Sequence, residues 1–258
     1  MCTLILLHRV VPGSPVVVAA NRDEFLSRPA AGPVRFPGRE AGVPAVVAPQ
    51  DLEAGGTWMG LNTQGLFVGL TNRPAQAVRA DRRSRGLLVR DALECSGAEE
   101  VASEMAQGLE GTYNPFHLVY SDGRAAFLTT LRDGGAETRQ LEPGVHVVCN
   151  RGEDDPGSEK ARGIRHALQE IDLGAPFERV FESLAGVLRA HHHSPNPLEN
   201  PCVHMPGYGT RSSAILSSGG PEPSFWYAPG PPCESKFESV THLLVPTQQV
   251  QTSRGVES

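Results

Sequence analysis

The residues best suited to chemistry are Cys2 and the run Asn21-Arg22-Asp23-Glu24. A thiol is a weak nucleophile at its ordinary pKa and needs a base, and one known solution is for the chain's own α-amine to serve. A small second residue such as Cys permits removal of the initiator Met. The amine so exposed titrates at roughly 7.7–8.0, far below a lysine, and can take a proton near neutral pH. In such a centre Asp23 can hold the ammonium form, and Arg22 can either lower the thiol pKa or hold a substrate carboxylate. These residues also have an ordinary use: a Cys at a strand start is a small apolar side chain, and the charged run can be a turn with a salt bridge.

A hairpin would bring the two together. Thr3 to Val10 and Val16 to Asn21 are β-branched and mostly apolar, joined by the turn residues Pro12-Gly13-Ser14-Pro15. If Val10 pairs with Pro15, which cannot donate a ladder bond and suits a strand start, partner numbers sum to about 25. That register sets Cys2 opposite Asp23 and Leu4 opposite Asn21, with paired Cβ atoms roughly 4.5–5.5 Å apart. The unbroken apolar run Val16 to Ala20 indicates a strand covered on both faces.

The rest of the chain supplies the walls. A Pro/Gly-rich loop is expected over residues 28–42, then a hairpin of 57–61 and 66–70 around Asn62-Thr63-Gln64-Gly65, with Gly65 at positive φ. Helical spacing marks 84–95 and 99–108, and again 158–171 and 176–190. Strands are expected at 115–120, 125–130, 145–149, 212–216, 224–227 and 239–245, with a Pro-rich loop at 191–206. This order predicts an α+β fold, a four-layer αββα sandwich of two antiparallel sheets flanked by helices. One domain over 1–246 and a flexible tail at 247–258 are expected.

The chain has 258 residues, 39% of them hydrophobic and 20% charged, with net charge −6, which disfavours non-specific nucleic-acid or anionic-membrane binding. The five cysteines, Cys2, Cys95, Cys149, Cys202 and Cys233, are odd in number and widely spaced, with no zinc-type pattern. They indicate a reducing, cytoplasmic setting without a disulfide framework, and no metal ligands are expected. No run approaches the roughly 20 apolar residues of a membrane span, and the polar interruption His8-Arg9 with Pro12-Gly13 is wrong for a secretory signal. Phosphate-loop, dinucleotide, zinc-protease and serine-hydrolase motifs are absent from the sequence. Oligomeric state is not encoded in any feature of the sequence.

Further stretches carry a resemblance. Met1-Cys2, Asn21-Arg22-Asp23-Glu24, Gly55-Gly56-Thr57-Trp58, Leu70-Thr71-Asn72-Arg73, Ser84-Arg85-Gly86, Tyr113-Asn114-Pro115-Phe116 and Tyr208-Gly209-Thr210-Arg211-Ser212-Ser213 resemble, in order and to about Val245, the NRDE family of proteins related to the transport-and-Golgi-organisation protein. The resemblance implies an N-terminal-nucleophile (Ntn) hydrolase-like fold. A looser similarity extends to the cysteine Ntn amidases, the penicillin V acylase and conjugated bile acid hydrolase group. It implies Cys2 as nucleophile, Arg22 and Asp23 as an Arg/Asp pair, Asn72 as oxyanion donor, and Asn150 as holder of the terminal amine. Arg211 would be a late arginine stabilising Asp23 or the thiolate. The implied activity is hydrolysis of a small-molecule, non-peptide C–N amide through a Cys2 thioester, without a cofactor. Where many relatives carry a Trp-Pro-Lys stretch after the second Asn, this sequence has residues 152–160, which bears on the pocket rim.

Eukaryotic relatives are associated with haem movement. The rival expectation is therefore a non-catalytic carrier of haem or a hydrophobic ligand using the same pocket, with His191-His192-His193 and His204 as tempting ligands. Three consecutive His at a helix end more often form an exposed terminus, and no Cys-Pro or Cys-x-x-Cys-His haem signal occurs.

Overall fold

A computed structural model describes residues 2–245 apart from 76, 110, 154, 156, 192 and 193, so the expected tail at 247–258 lies outside the described residues. The chain opens with β1 (Thr3–Val11) and β2 (Ser14–Phe25), then β3 (Ala30–Phe36), β4 (Val46–Asp51), β5 (Met59–Asn62) and β6 (Phe67–Asn72). Helices α1 (Arg85–Ala92) and α2 (Ala98–Met105) follow. Next come β7 (Phe116–Ser121), β8 (Ala126–Arg132), β9 (Gly135–Gln140), β10 (Gly144–Cys149) and β11 (Gly152–Glu153). Helices α3 (Glu159–Gln169) and α4 (Phe177–Arg189) precede β12 (His204–Met205), β13 (Tyr208–Ser218), β14 (Ser224–Ala228) and β15 (Glu238–Ser239).

Two antiparallel sheets result. One runs β11-β10-β1-β2-β13-β14-β15, with β12 pairing β13, and the other β3-β4-β5-β6-β7-β8-β9. Strand alternation divides the apolar residues between three cores. Leu4, Leu6, Val16 and Val18 of the first sheet meet Met59, Leu61, Phe67 and Val119 of the second. Ile5, Leu7, Val17 and Ala19 point the other way, onto Ile164 and Leu168 of α3 and Val180 and Leu184 of α4. Leu66, Val68 and Leu118 pack on Leu88 and Val89 of α1 and Val101 of α2. The layers are helix, sheet, sheet, helix.

Helix starts follow the local chemistry. Ser84 Oγ accepts from Gly86 N–H, and Ser158 Oγ accepts from Ala161 N–H, each satisfying a donor of the first turn. Gly97 has no side chain with which to cap α2, so Asp122 Oδ2 accepts from Ala98 N–H instead.

The register of the first hairpin differs from the expected one. Val11 pairs with Ser14, a sum of 25, but from His8↔Val16 to Thr3↔Asn21 the sum is 24. A β-bulge between His8 and Val11 absorbs the difference, with Arg9 in the left-handed region at φ 57°. A slip of one residue reverses every face assignment beyond it. Continuing the ladder past Thr3↔Asn21 aligns Cys2 with Arg22 rather than Asp23, and Leu4 pairs with Ala20 rather than Asn21.

Three further differences have physical reasons. The expected loop at 28–42 contains β3, which tolerates Pro33 because it is an edge strand with a register irregularity between Ala31 and Val34. The opposite edge, β9, is polar and exposed along most of its length, so its sequence lacks an apolar strand signal. The expected strand at 239–245 ends after Ser239 and continues as a 3₁₀ turn, Thr241–Leu244, that lays Leu244 into the inter-sheet core. Among the described residues no helix is long and apolar enough to cross a membrane.

Candidate active site

β2 does not stop at Asn21: it runs to Phe25, because β13 pairs with it along the whole charged segment, Asn21↔Ser213, Arg22↔Ser212, Asp23↔Thr210 and Glu24↔Gly209. Within a strand, neighbours face opposite ways. Asn21 and Asp23 therefore point to the helical side, while Arg22 and Glu24 join the wall of a cavity of about 490 Å³ at the end of the inter-sheet space.

Cys2, Arg22 and Asn72 line that cavity; Asp23, Asn150 and Arg211 do not. Asn150 nevertheless reaches the nucleophile candidate. Its Oδ1 accepts from the backbone nitrogen of Cys2 at 2.9 Å, across 148 residues of sequence. Its Nδ2 donates to the Asn72 carbonyl, tying together the strand ends that hold Cys2 and Asn72. The position follows from β10 pairing beside β1, Leu4↔Val148, which brings the end of β10 to the start of β1.

Arg22 is buried, its guanidinium stacked 4.3 Å from the Trp58 ring centroid. Its nearest carboxylates, Asp51 at 3.9 Å and Glu24 at 4.0 Å, are beyond hydrogen-bond range, and Nη1 has no hydrogen-bond partner. Burial pushes the Cys2 thiol above its ordinary value and the Asp23 carboxylate adds to the rise, while Arg22 opposes it. Cys95 and Cys149 are pushed up to about 12 by burial and stay protonated, as inert apolar side chains do.

Asp23 is buried with two named partners on its side chain: Lys160 Nζ at 3.1 Å from Oδ2 and the Thr210 hydroxyl donating to Oδ1 at 2.7 Å. Burial, the largest single influence, would lower the Lys160 pKa, but the Asp23 carboxylate together with the nearby Cys149 and Cys2 outweighs it, and the group ends above its usual range. Lys160 and Thr210 were not among the sequence candidates. A signal for Lys160 did exist: it precedes Ala161, Ile164 and Leu168, the buried stripe of α3. Arg211 stands at the bulge between Thr210 and Ser212, its Nε buried without a hydrogen-bond partner, and with Arg22 it lowers the pKa of Tyr227, which burial raises.

The remaining wall is strongly charged, with five arginines and three carboxylates in all. Arg28 is held by Asp51 at 2.7 Å and Glu53 at 2.6 Å, and Arg83 by Asp91 at 2.6 Å. Gly56 packs behind the wall residues Thr57 and Gly86. A Cβ there would sit 2.3 Å from the Gly86 carbonyl carbon, and Thr57 N–H donates to Gly86 O, so this loop abuts the start of α1.

Solved structures share this architecture. Conjugated bile acid hydrolase of Clostridium perfringens, as a mutant, superposes with a TM-score of 0.57 at 11% identity, over 93% of this chain and 96% of that one. The Caenorhabditis elegans N-acylethanolamine-hydrolyzing acid amidase ortholog gives 0.55 at 14%, over 86% and 94%. Penicillin V acylase of Agrobacterium tumefaciens gives 0.50 at 14%, over 89% and 83%. At such identities the likeness is one of fold, that of the Ntn hydrolases. By sequence, the chain is 32% identical over 230 residues to the Transport and Golgi organization 2 homolog of Mus musculus, covering 78% of this chain and 81% of that one. The Bos taurus homolog is 28% identical over 225 residues, with the same coverage. The sequence model described as Transport and Golgi organisation 2 matches residues 1–220, and the chain belongs to that family.

Proposed function

We propose that the protein is an Ntn cysteine amidohydrolase that cleaves a linear, non-peptide C–N amide through a thioester on Cys2 once Met1 is removed. The observation that carries this reading is the hydrogen bond from Cys2 N to Asn150 Oδ1 beside a cavity that Cys2, Arg22 and Asn72 share. A backbone nitrogen fixed by a side-chain amide so far away in sequence is where an orienting group for a terminal amine belongs.

The chemistry follows from these positions. With Met1 gone, the Cys2 nitrogen is a primary amine whose hydrogen is directed at Asn150, leaving its lone pair to take the thiol proton. The raised thiol pKa makes such a base necessary, since little thiolate exists without one. The sulfur forms a bond to the amide carbon and the carbonyl becomes an oxyanion. An Asn72 Nδ2 donor facing that oxygen is worth roughly 3–4 kcal/mol, the cost typical of deleting one oxyanion donor. Collapse breaks the C–N bond, and the leaving amine takes the proton from the ammonium. Water, deprotonated by the same amine, then cleaves the thioester to a carboxylate and restores the thiol.

Arg22 offers an unsatisfied donor, Nη1, to a substrate carbonyl or carboxylate at the cavity wall. The density of charged groups favours a polar or anionic substrate over an apolar one. The test is a panel of acylated amines and amino acids, assayed with and without haem, on the native protein and Cys2→Ala. Turnover that disappears in Cys2→Ala supports hydrolysis. No turnover, together with stoichiometric haem uptake that survives Cys2→Ala, would replace it with the carrier reading.

A further inference from the structure

Folding gathers a second set of reactive side chains far from Cys2 in sequence. Cys202, His204 and Cys233, with a ring nitrogen of His191, place their four ligand atoms within 4.8 Å of one another. The Cys202 and Cys233 sulfurs are 3.6 Å apart, and His204 Nε2 lies 3.4 Å from the first and 3.1 Å from the second. A disulfide would need about 2.05 Å between sulfurs. A tetrahedral Zn²⁺ with Zn–S near 2.3 Å and Zn–N near 2.0–2.1 Å separates its ligand atoms by about 3.3–3.8 Å. The three named distances are close to that range.

The geometry points to a Cys₂His₂ zinc site formed by His191, Cys202, His204 and Cys233. The widely spaced cysteines gave no zinc pattern in the sequence because the ligands come from three segments that only the fold brings together. His191 follows the end of α4, Cys202 and His204 flank the entry to β12, and Cys233 lies between β14 and β15. Two thiolates neutralise the dication, and two imidazoles complete the soft, nitrogen-sulfur set that Zn²⁺ favours. The same set argues against haem at His191 or His204, since four ligand atoms converging on one point suit a bare ion, whereas a haem iron leaves only its two axial positions to the protein.

The surrounding backbone is arranged to present these ligands. His191 Nδ1 lies 2.8 Å from the Arg189 carbonyl, the kind of contact that fixes a ligating imidazole's ring and tautomer so that Nε2 coordinates. Cys202 N–H donates to Ala190 O at 2.9 Å, and Arg189 Nε donates to Pro232 O at 3.2 Å, pulling the three segments together. The N–H groups of Glu234 and Ser235 both donate to Pro231 O, forming the turn that carries Cys233.

The site also adjoins the candidate catalytic machinery. Pro201 O accepts from Asn21 Nδ2 at 2.8 Å, and Val203 N–H donates to Thr210 Oγ1, the hydroxyl bonded to Asp23. The bound metal would pin residues 201–204, and with them the hydrogen bonds that hold β2 and β13 at Asp23.

Metal content of the full-length chain, purified reduced and without chelator, followed by Co²⁺ titration of the stripped protein, tests this. The expected result is one zinc per chain and tetrahedral Co²⁺ d–d bands with thiolate charge transfer, both abolished by added Zn²⁺. The double variant Cys202→Ser with Cys233→Ser should weaken Co²⁺ binding by at least ~100-fold. His204→Cys, which keeps four ligands, should still bind and gain charge-transfer intensity. Cys2→Ala should bind as the native chain does, which separates this site from the amidase reading. Substoichiometric zinc with no such bands in the folded native protein, or identical bands in the double variant, would overturn the proposal. So would a native mass lighter by two hydrogens in protein that takes up no metal after reduction, since that describes a disulfide-forming pair instead.

Discussion

Lys160 Nζ and Asp23 Oδ2 form a fully buried ion pair, 3.1 Å apart, between the first turn of α3 and the Thr210 end of the β2–β13 ladder. Two charges removed from water persist only because each neutralises the other, so removing one strands its partner. Lys160→Met should destabilise the fold by about 3–5 kcal/mol, with Thr210 left as one remaining partner of Asp23. Adding Asp23→Asn should restore most of that loss, because an uncharged pair leaves no stranded ion. Urea unfolding midpoints of the two singles and the double variant measure the coupling.

Asn150 joins Cys2 N to the Asn72 carbonyl. Asn150→Ala should slow acylation of Cys2 by about 100-fold, the typical consequence of letting a reacting group shift by an ångström. Asn150→Asp keeps an acceptor for the Cys2 nitrogen and loses the donor to Asn72, so it should retain more activity than the alanine variant. Single-turnover labelling of Cys2, with circular dichroism confirming the fold, distinguishes these outcomes.

Arg22 lowers a Cys2 pKa that burial and Asp23 raise. Arg22→Gln should therefore move the thiol's titration to still higher pH, and alkylation by iodoacetamide at a fixed neutral pH should slow. Arg22→Lys keeps the charge but loses the planar stack on Trp58. It should leave the alkylation profile nearly unchanged while raising KM for any anionic substrate.

His117 links acidity to stability. Burial, with Arg73 beside it, lowers its pKa to about 4, and with Nε2 facing the Arg73 guanidinium its Nδ1–H donates to Thr130 Oγ1. The unfolded chain binds this proton near pH 6.5 and the folded one near 4, so folding is undiminished above 6.5 and loses stability as pH falls toward 4. The loss amounts to roughly 3 kcal/mol at most. His117→Gln should flatten that part of the pH–stability curve in denaturant titrations.

What the sequence made legible follows its strongest patterns. The helical spacings at Leu87-Leu88 and Val101-Met105 locate α1 and α2 within a few residues, and the apolar run Val16–Ala20 is buried throughout β2. Order of strands and helices sufficed for the layered fold. Edge strands escaped because β3 carries a proline and β9 is polar, features that suit an unpaired rim and conceal a strand. The hairpin register escaped for a different reason. A bulge at Arg9 has no glycine to announce it, and its one-residue shift moves Asp23 to the helical face while Arg22 takes the cavity side. The buried place of Lys160 on the α3 stripe follows from local spacing, but its pairing with Asp23, like the gathering of Cys202 and Cys233, depends on contacts between remote segments, which local spacing does not encode.

Intact-mass spectrometry of the protein, before and after reaction with an electrophilic amide mimic, decides whether Cys2 is an N-terminal nucleophile. The expected result is a chain lacking Met1 that gains a single adduct on Cys2, and no adduct on Cys2→Ala. Met1 wholly retained in protein that turns over an amide, or labelling that persists in Cys2→Ala, would contradict it.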